Sequence, residues 1–178
     1  NDSLSVGQGE LIANASTGNV QYQQGITDTL TNFSSSGSIT ADFVAITGND
    51  SNVNVTISDS SITGDNVINL NAVADATNGI VTATISGNIV QLQDITTAIT
   101  DAITINVTDY VSTSQVNILS TKTSIDINYY AGLNDSIDKY LTTANVVTTN
   151  TISANTQTEN IDIRINDAFF KLNFSFKR

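Results

Sequence analysis

Short runs of β-branched residues recur through the middle of the chain, with centres near 55, 83, 105, 127 and 148, roughly 21 to 28 residues apart. That interval is too long for a hairpin. It fits a crossover of a dozen or more residues, so consecutive strands are expected to run parallel, with a covering element between them. The runs also resemble one another. VNVTISD at 53–59 matches ITINVTD at 103–109. Downstream, LNAVADATNG at 70–79 aligns with VNILSTKTS at 116–124, each with a Thr seven residues after its first apolar position. VTATIS at 81–86 and IDINYY at 125–130 supply the intervening strands.

Within each run the side chains alternate, which is the period of a strand. Val53, Val55 and Ile57 face one way, and Asn54 and Thr56 the other; Ile103, Ile105 and Val107 repeat the first set. Between the runs the apolar spacing changes to that of short helices: Val67, Leu70 and Val73; Ile89, Leu92 and Ile95; Leu133, Ile137 and Tyr140. Ser112 with Gln115 reads as a capping box, and Asp65 and Asn134 as N-caps. Thr and Asn are weak helix formers, so these helices rely on packing. The expected core comprises Val55, Ile57, Leu70, Ile85, Leu92, Ile105, Val107 and Leu119.

Stacking such units predicts a β-rich α/β fold: a parallel solenoid of strand–short helix repeats with β-stranded N- and C-terminal caps. The boundaries fall at 1–50 for an N-terminal β cap, 51–144 for the solenoid and 145–178 for C-terminal β strands. Gly- and Ser-rich turns between short runs suggest the N-terminal cap. At the other end Ile161, Ile163 and Ile165, then Phe170, Leu172, Phe174 and Phe176, alternate with polar residues around an Asn166-Asp167 turn, as in a hairpin.

Charge is distributed unevenly. Residues 1–121 carry eleven acids and no Lys or Arg, and all six bases lie in the remaining 57 residues. The net charge of −11 disfavours a nucleic-acid partner. No apolar run approaches the roughly 18 residues of a membrane span, so no membrane insertion is expected. The chain opens Asn-Asp-Ser without Met or a signal-peptide pattern, which suggests a removed leader or a longer parent chain. Asn, Ser and Thr make 67 of the 178 residues, a composition usual in secreted, cell-surface and virion proteins. The eight Asn-x-Ser/Thr triplets scarcely exceed what that composition delivers.

The absence of His and Cys removes imidazole bases, thiol nucleophiles and the usual zinc sites. Carboxylate pairs for glycoside cleavage reduce to Asp94 with Asp101 and Asp135 with Asp138. Calcium is the one cofactor the residues suggest, through Asp50, Asp59 and Asp65 and the strand-end Asp109, although EF-hand and nonapeptide spacings are missing. No enzyme is expected.

The stretch LNAVADATNGIVTATISGNIVQLQDI at 70–95, with ITINVTD at 103–109 and VNILSTKTS at 116–124, resembles a Thr/Asp-rich repeat. That repeat occurs in large surface proteins of marine cyanobacteria and in structural proteins of their phages. The resemblance covers about 53–143. It departs at 120–121, where Ser-Thr replaces an acidic turn, and at 125, where a Gly is missing. It implies an extracellular or virion structural role and carries over no catalytic residue.

The functional expectation is a non-enzymatic structural subunit of an extracellular filament, surface layer or virion fibre, acting by self-assembly. The terminal segments would join copies into a homo-oligomer through Phe170, Leu172, Phe174 and Phe176 together with Arg164, Lys171, Lys177 and Arg178, basic residues that complement the acidic body. The alternative is an adhesive, receptor-binding module that offers an Asn/Thr/Ser-rich face to surface polysaccharide.

Overall fold

Val81, Ala83 and Ile85 are buried while Thr82, Thr84 and Ser86 are not, and the same two-residue period runs through the neighbouring strands. The structure, a computed structural model, describes residues 2–136 and 163–165. In chain order the elements are α1 (Val6–Ala15), β1 (Ile26–Asp28), α2 (Leu30–Phe33), β2 (Ser34–Ser35), β3 (Ser38–Ile39), α3 (Ala41–Asn49), β4 (Val55–Ile57), β5 (Ile62–Thr63), α4 (Val67–Ala76), β6 (Val81–Gly87), α5 (Ile89–Leu92), β7 (Ala102–Val107), α6 (Thr113–Leu119), β8 (Ile127–Tyr129), β9 (Leu133–Asp135) and β10 (Ile163–Ile165).

Six strands form one central sheet in the order β1–β4–β6–β7–β8, with β5 pairing alongside the far end of β6. Every pairing in it is parallel. The register aligns Ile26 with Val55, Val55 with Val81, Ile85 with Ile105, and Ile105 with Ile127. These inward residues share one core with Leu70, Val73, Leu92, Val116 and Leu119 of the helices, so the helices cover one face of the sheet. All eight expected core residues are buried, none more than 4 % exposed. Phe33 and Phe43 extend the core beneath β1, edge to face with centroids 5.0 Å apart.

The parallel pairing follows the sequence expectation, but the solenoid does not. The molecule is an α/β fold on one parallel six-stranded sheet, and the described residues show no regular repeating coil. Strands run from two to seven residues and helices from four to ten, and β5 branches off the main order. The even spacing of the β-branched runs reflects the minimum length of a parallel crossover rather than a repeated unit.

The N-terminal β cap is also corrected. Residues 1–50 hold three helices, and their main strand, β1, is part of the central sheet. The Ser5 side chain accepts from the Gln8 amide and the Gln8 side chain accepts from the Ser5 amide, a full capping box that starts α1. Thr40 caps α3 through the amide of Phe43. The hairpin β2–β3 is small; Ser36 and Gly37 at its turn have φ of 54° and 76°, the left-handed region that a two-residue turn of this hand needs.

Of the expected caps, Ser112 with Gln115 forms as read. Asp65 lies in a 3₁₀ turn, Gly64–Asn66, just before α4, and Leu133 and Asn134 belong to strand β9 rather than to a helix. The strand expected near 148 and the partner strand of the C-terminal hairpin lie outside the described residues. β10 pairs in parallel with β9, Ile163 beside Leu133.

Candidate functional site

The side of the sheet away from the described helices is polar and carries no charge along its rows. Register fixes which side chains are neighbours. Thr27, Thr56, Thr82 and Ala102 form one row across β1, β4, β6 and β7. Thr84 and Thr104 form a second. Thr63, Ser86, Asn106 and Asn128 form a third across β5, β6, β7 and β8. Neighbours in a row stand about 4.7–4.9 Å apart and successive rows about 6.6 Å apart, from strand geometry. Thr56, Thr63 and Thr82 are exposed, and the others are half-buried by their neighbours.

What marks this face is that unengaged hydroxyls stand in register on adjacent strands. Among the described residues, the hydroxyls of Thr27, Thr56, Thr82, Thr84, Ser86 and Thr104 bond to no protein group, so they are available to an outside partner. Buried Ser and Thr hydroxyls elsewhere are used by the fold: Thr77 donates to the Val53 carbonyl at 2.7 Å and Thr97 to the Lys122 carbonyl at 2.6 Å. In the third row Asn128 Nδ2 donates to Asn106 Oδ1 at 2.8 Å. Tyr130, 66 % exposed, follows β8 on the same outward side, with its hydroxyl 3.5 Å from Asn106 Oδ1. Its amide donates to the Val107 carbonyl at 3.0 Å, which fixes its place beside β7.

Six of the described carboxylates serve the backbone. Asp28 accepts from the amide of Val6, Asp59 from Leu30, Asp109 from Ile89 and Asp135 from Thr113. In all four cases the amide belongs to the first residue of a helix, where an N–H lacks an intrahelical partner and the helix dipole favours negative charge. Buried Asp50 accepts from the amides of Tyr22 and Asn52, and buried Asp101 from those of Val81 and Ala98. Asp65 takes the Gln91 side-chain amide.

The calcium candidates are therefore dispersed: Asp50, Asp59, Asp65 and Asp109 each hold a different segment. No group of three acidic side chains suited to a metal occurs among the described residues. Of the glycosidase pairs, Asp101 is a buried cap while Asp94 is exposed, and Asp138 lies outside the described residues. Of the expected assembly residues only Arg164 is described. It sits in β10, exposed, with its guanidinium carbon 4.1 Å from the centroid of the Tyr110 ring. Phe170, Leu172, Phe174, Phe176, Lys171, Lys177 and Arg178 lie outside the described residues. No described helix is long and apolar enough to cross a membrane.

Two tyrosines are perturbed. Burial, then the nearby Asp50 charge, raises Tyr22, whose hydroxyl donates to the Gly9 carbonyl at 2.8 Å. Burial alone pushes Tyr129 far above the ordinary tyrosine range, and its hydroxyl has no hydrogen-bond partner. An open cleft of about 520 Å³ lies beside β1 between Leu4, Ile12, Val20 and Tyr22 and gathers no catalytic set.

Comparison with protein-family models, with curated proteins and with solved structures found no match.

Proposed function

We propose that the protein is a non-enzymatic adhesive module of an extracellular or virion surface, and that the open sheet face is its working surface, turned toward polysaccharide. The observation that carries this reading is the set of outward hydroxyls at fixed spacing that no protein group engages. Hydroxyl and amide groups of this kind exchange hydrogen bonds with the hydroxyls of a sugar polymer. The absence of charge in the rows, on a protein of net charge −11, favours a neutral ligand over an anionic one. Thr56 and Thr82 lie side by side in the first row and are both exposed, so lysines there would disturb the face without touching the core. The test is co-sedimentation with insoluble neutral polysaccharides. The T56K/T82K double variant should lose binding with its melting temperature kept; equal binding overturns the reading.

A structural subunit that self-assembles is the second reading, and the sheet topology favours it. A parallel sheet ordered from β1 to β8 has two unlike edges, which suit head-to-tail joining of copies into fibres or rings. A concentration-dependent rise in mass on size-exclusion chromatography supports it; a monomer at all concentrations removes it.

A further inference from the structure

We infer that Ser86, Asn106, Asn128 and Tyr130 form a subsite for one chain of a neutral, extended polysaccharide, with the sugars following the third row across the strands and one pyranose stacked on Tyr130. This rests on the adhesive reading above.

The ring is the starting point. Alternation in β8 buries Ile127 and Tyr129 and turns Asn128 and Tyr130 outward. An aromatic ring 66 % exposed beside the third row offers a large apolar surface next to its amides and hydroxyl. The C–H faces of a pyranose match such a ring, while its hydroxyls need polar partners around the rim. The approach of the Tyr130 hydroxyl to Asn106 shows that the side chain leans over β7, toward the row rather than away from it.

The amides supply the rim. Asn106 Oδ1 is taken by Asn128 Nδ2, which leaves the Asn106 amide hydrogens and the Asn128 carbonyl oxygen without partners in the protein. A donor and an acceptor on adjacent strands suit two neighbouring sugar hydroxyls. Ser86 continues the row on β6 with an unengaged hydroxyl. The pitch of the row, about 4.7–4.9 Å, is close to the advance of one sugar along an extended glycan, so successive rings meet successive strands. An anionic glycan is disfavoured because the surrounding body is acidic and the row holds no base.

The test is titration with neutral hexaoses of extended backbone (cello-, chito- and manno-oligosaccharides), with alginate oligosaccharides as the anionic control. Tyr130→Ala should weaken the best neutral ligand about tenfold or more, and Tyr130→Phe should restore most of that loss. Asn106→Ala should weaken binding with an unchanged melting temperature. Affinity should be insensitive to salt. Tighter binding of alginate, or full affinity in both Tyr130→Ala and Asn106→Ala, overturns the subsite. If those variants bind normally while T56K/T82K does not, the adhesive face stands and this subsite falls. If none of the variants alters binding, both readings fall. If no glycan binds and Tyr130→Ala instead dissociates a dimer, the face joins two copies and the subsite is wrong.

Discussion

The Thr123 hydroxyl accepts from the amide of Ile103 at 3.0 Å and donates to the carbonyl of the same residue at 2.7 Å. One side chain thus satisfies both backbone groups at the start of β7, in the place where a neighbouring strand would otherwise do so. Thr77 makes the corresponding bond to the Val53 carbonyl and accepts from the Gly79 amide. Both threonines are buried. Thr123→Val keeps the shape and orphans two buried backbone groups, so it should cost about 1–3 kcal/mol. Thr56→Val on the open face should stay within about 0.5 kcal/mol. Equilibrium denaturation of the pair checks the contrast.

Leu92 is fully buried at the end of the four-residue α5, whose start is fixed by Asn88 and Gln91 as a reciprocal cap. So short a helix has no stability of its own and depends on this anchor. Leu92→Ala should cost about 2–5 kcal/mol, as other large-to-small core changes do. An unchanged denaturation midpoint would show that the helix face is wrongly assigned.

Asp109 illustrates how the acids are used. Its carboxylate accepts from the Ile89 amide at 2.8 Å, twenty residues back, joining the end of β7 to the start of α5. Asp109→Ala should cost about 0.5–2 kcal/mol, and Asp109→Asn less, because the amide oxygen still accepts. Exchange of the Ile89 amide hydrogen should quicken in the alanine variant.

The core strands and their direction were legible because two-residue alternation and β-branching are local signals. Val55, Ile85 and Ile105 announce a buried side whatever lies around them. The N-terminal third was misread because GELIANAST lacks strong helix periodicity; the signal present was Ser5 with Gln8, a box identical in kind to the one recognised at Ser112. The solenoid was inferred from spacing, and spacing alone does not separate a repeated unit from the length any parallel crossover needs. The acidic residues suggested calcium because their partners some twenty to thirty residues away, backbone amides for Asp50, Asp59 and Asp109 and the Gln91 side chain for Asp65, cannot be seen in sequence. The open face was visible as Asn54 and Thr56 opposing Val53 and Val55, but its rows required the register between strands. Tyr130 was hidden for the same reason: Tyr129 and Tyr130 are adjacent, and only strand phase decides which of them is buried.

Tyr129 yields a prediction about pH. It is 2 % exposed, and its hydroxyl finds no partner. A buried hydroxyl left unbonded costs about 1–3 kcal/mol, so Tyr129→Phe should raise stability at neutral pH. Tyr22→Phe should do the opposite, because the Tyr22 hydroxyl is bonded to the Gly9 carbonyl. The two should also differ from wild type in alkali. A tyrosine in the unfolded chain loses its proton near pH 10, whereas burial holds Tyr129 protonated to higher pH in the folded state. Above about pH 10 the unfolded state therefore binds fewer protons than the folded one, and stability falls as pH rises. The contribution is fully present below that pH and is lost as pH climbs toward the raised value. Wild type should lose up to about 1.4 kcal/mol per pH unit from this group between pH 10 and 11, and Tyr129→Phe should lack that part of the slope. Denaturation series at pH 8, 10 and 11 read both effects; equal alkaline slopes in wild type and variant would place the Tyr129 hydroxyl in contact with solvent.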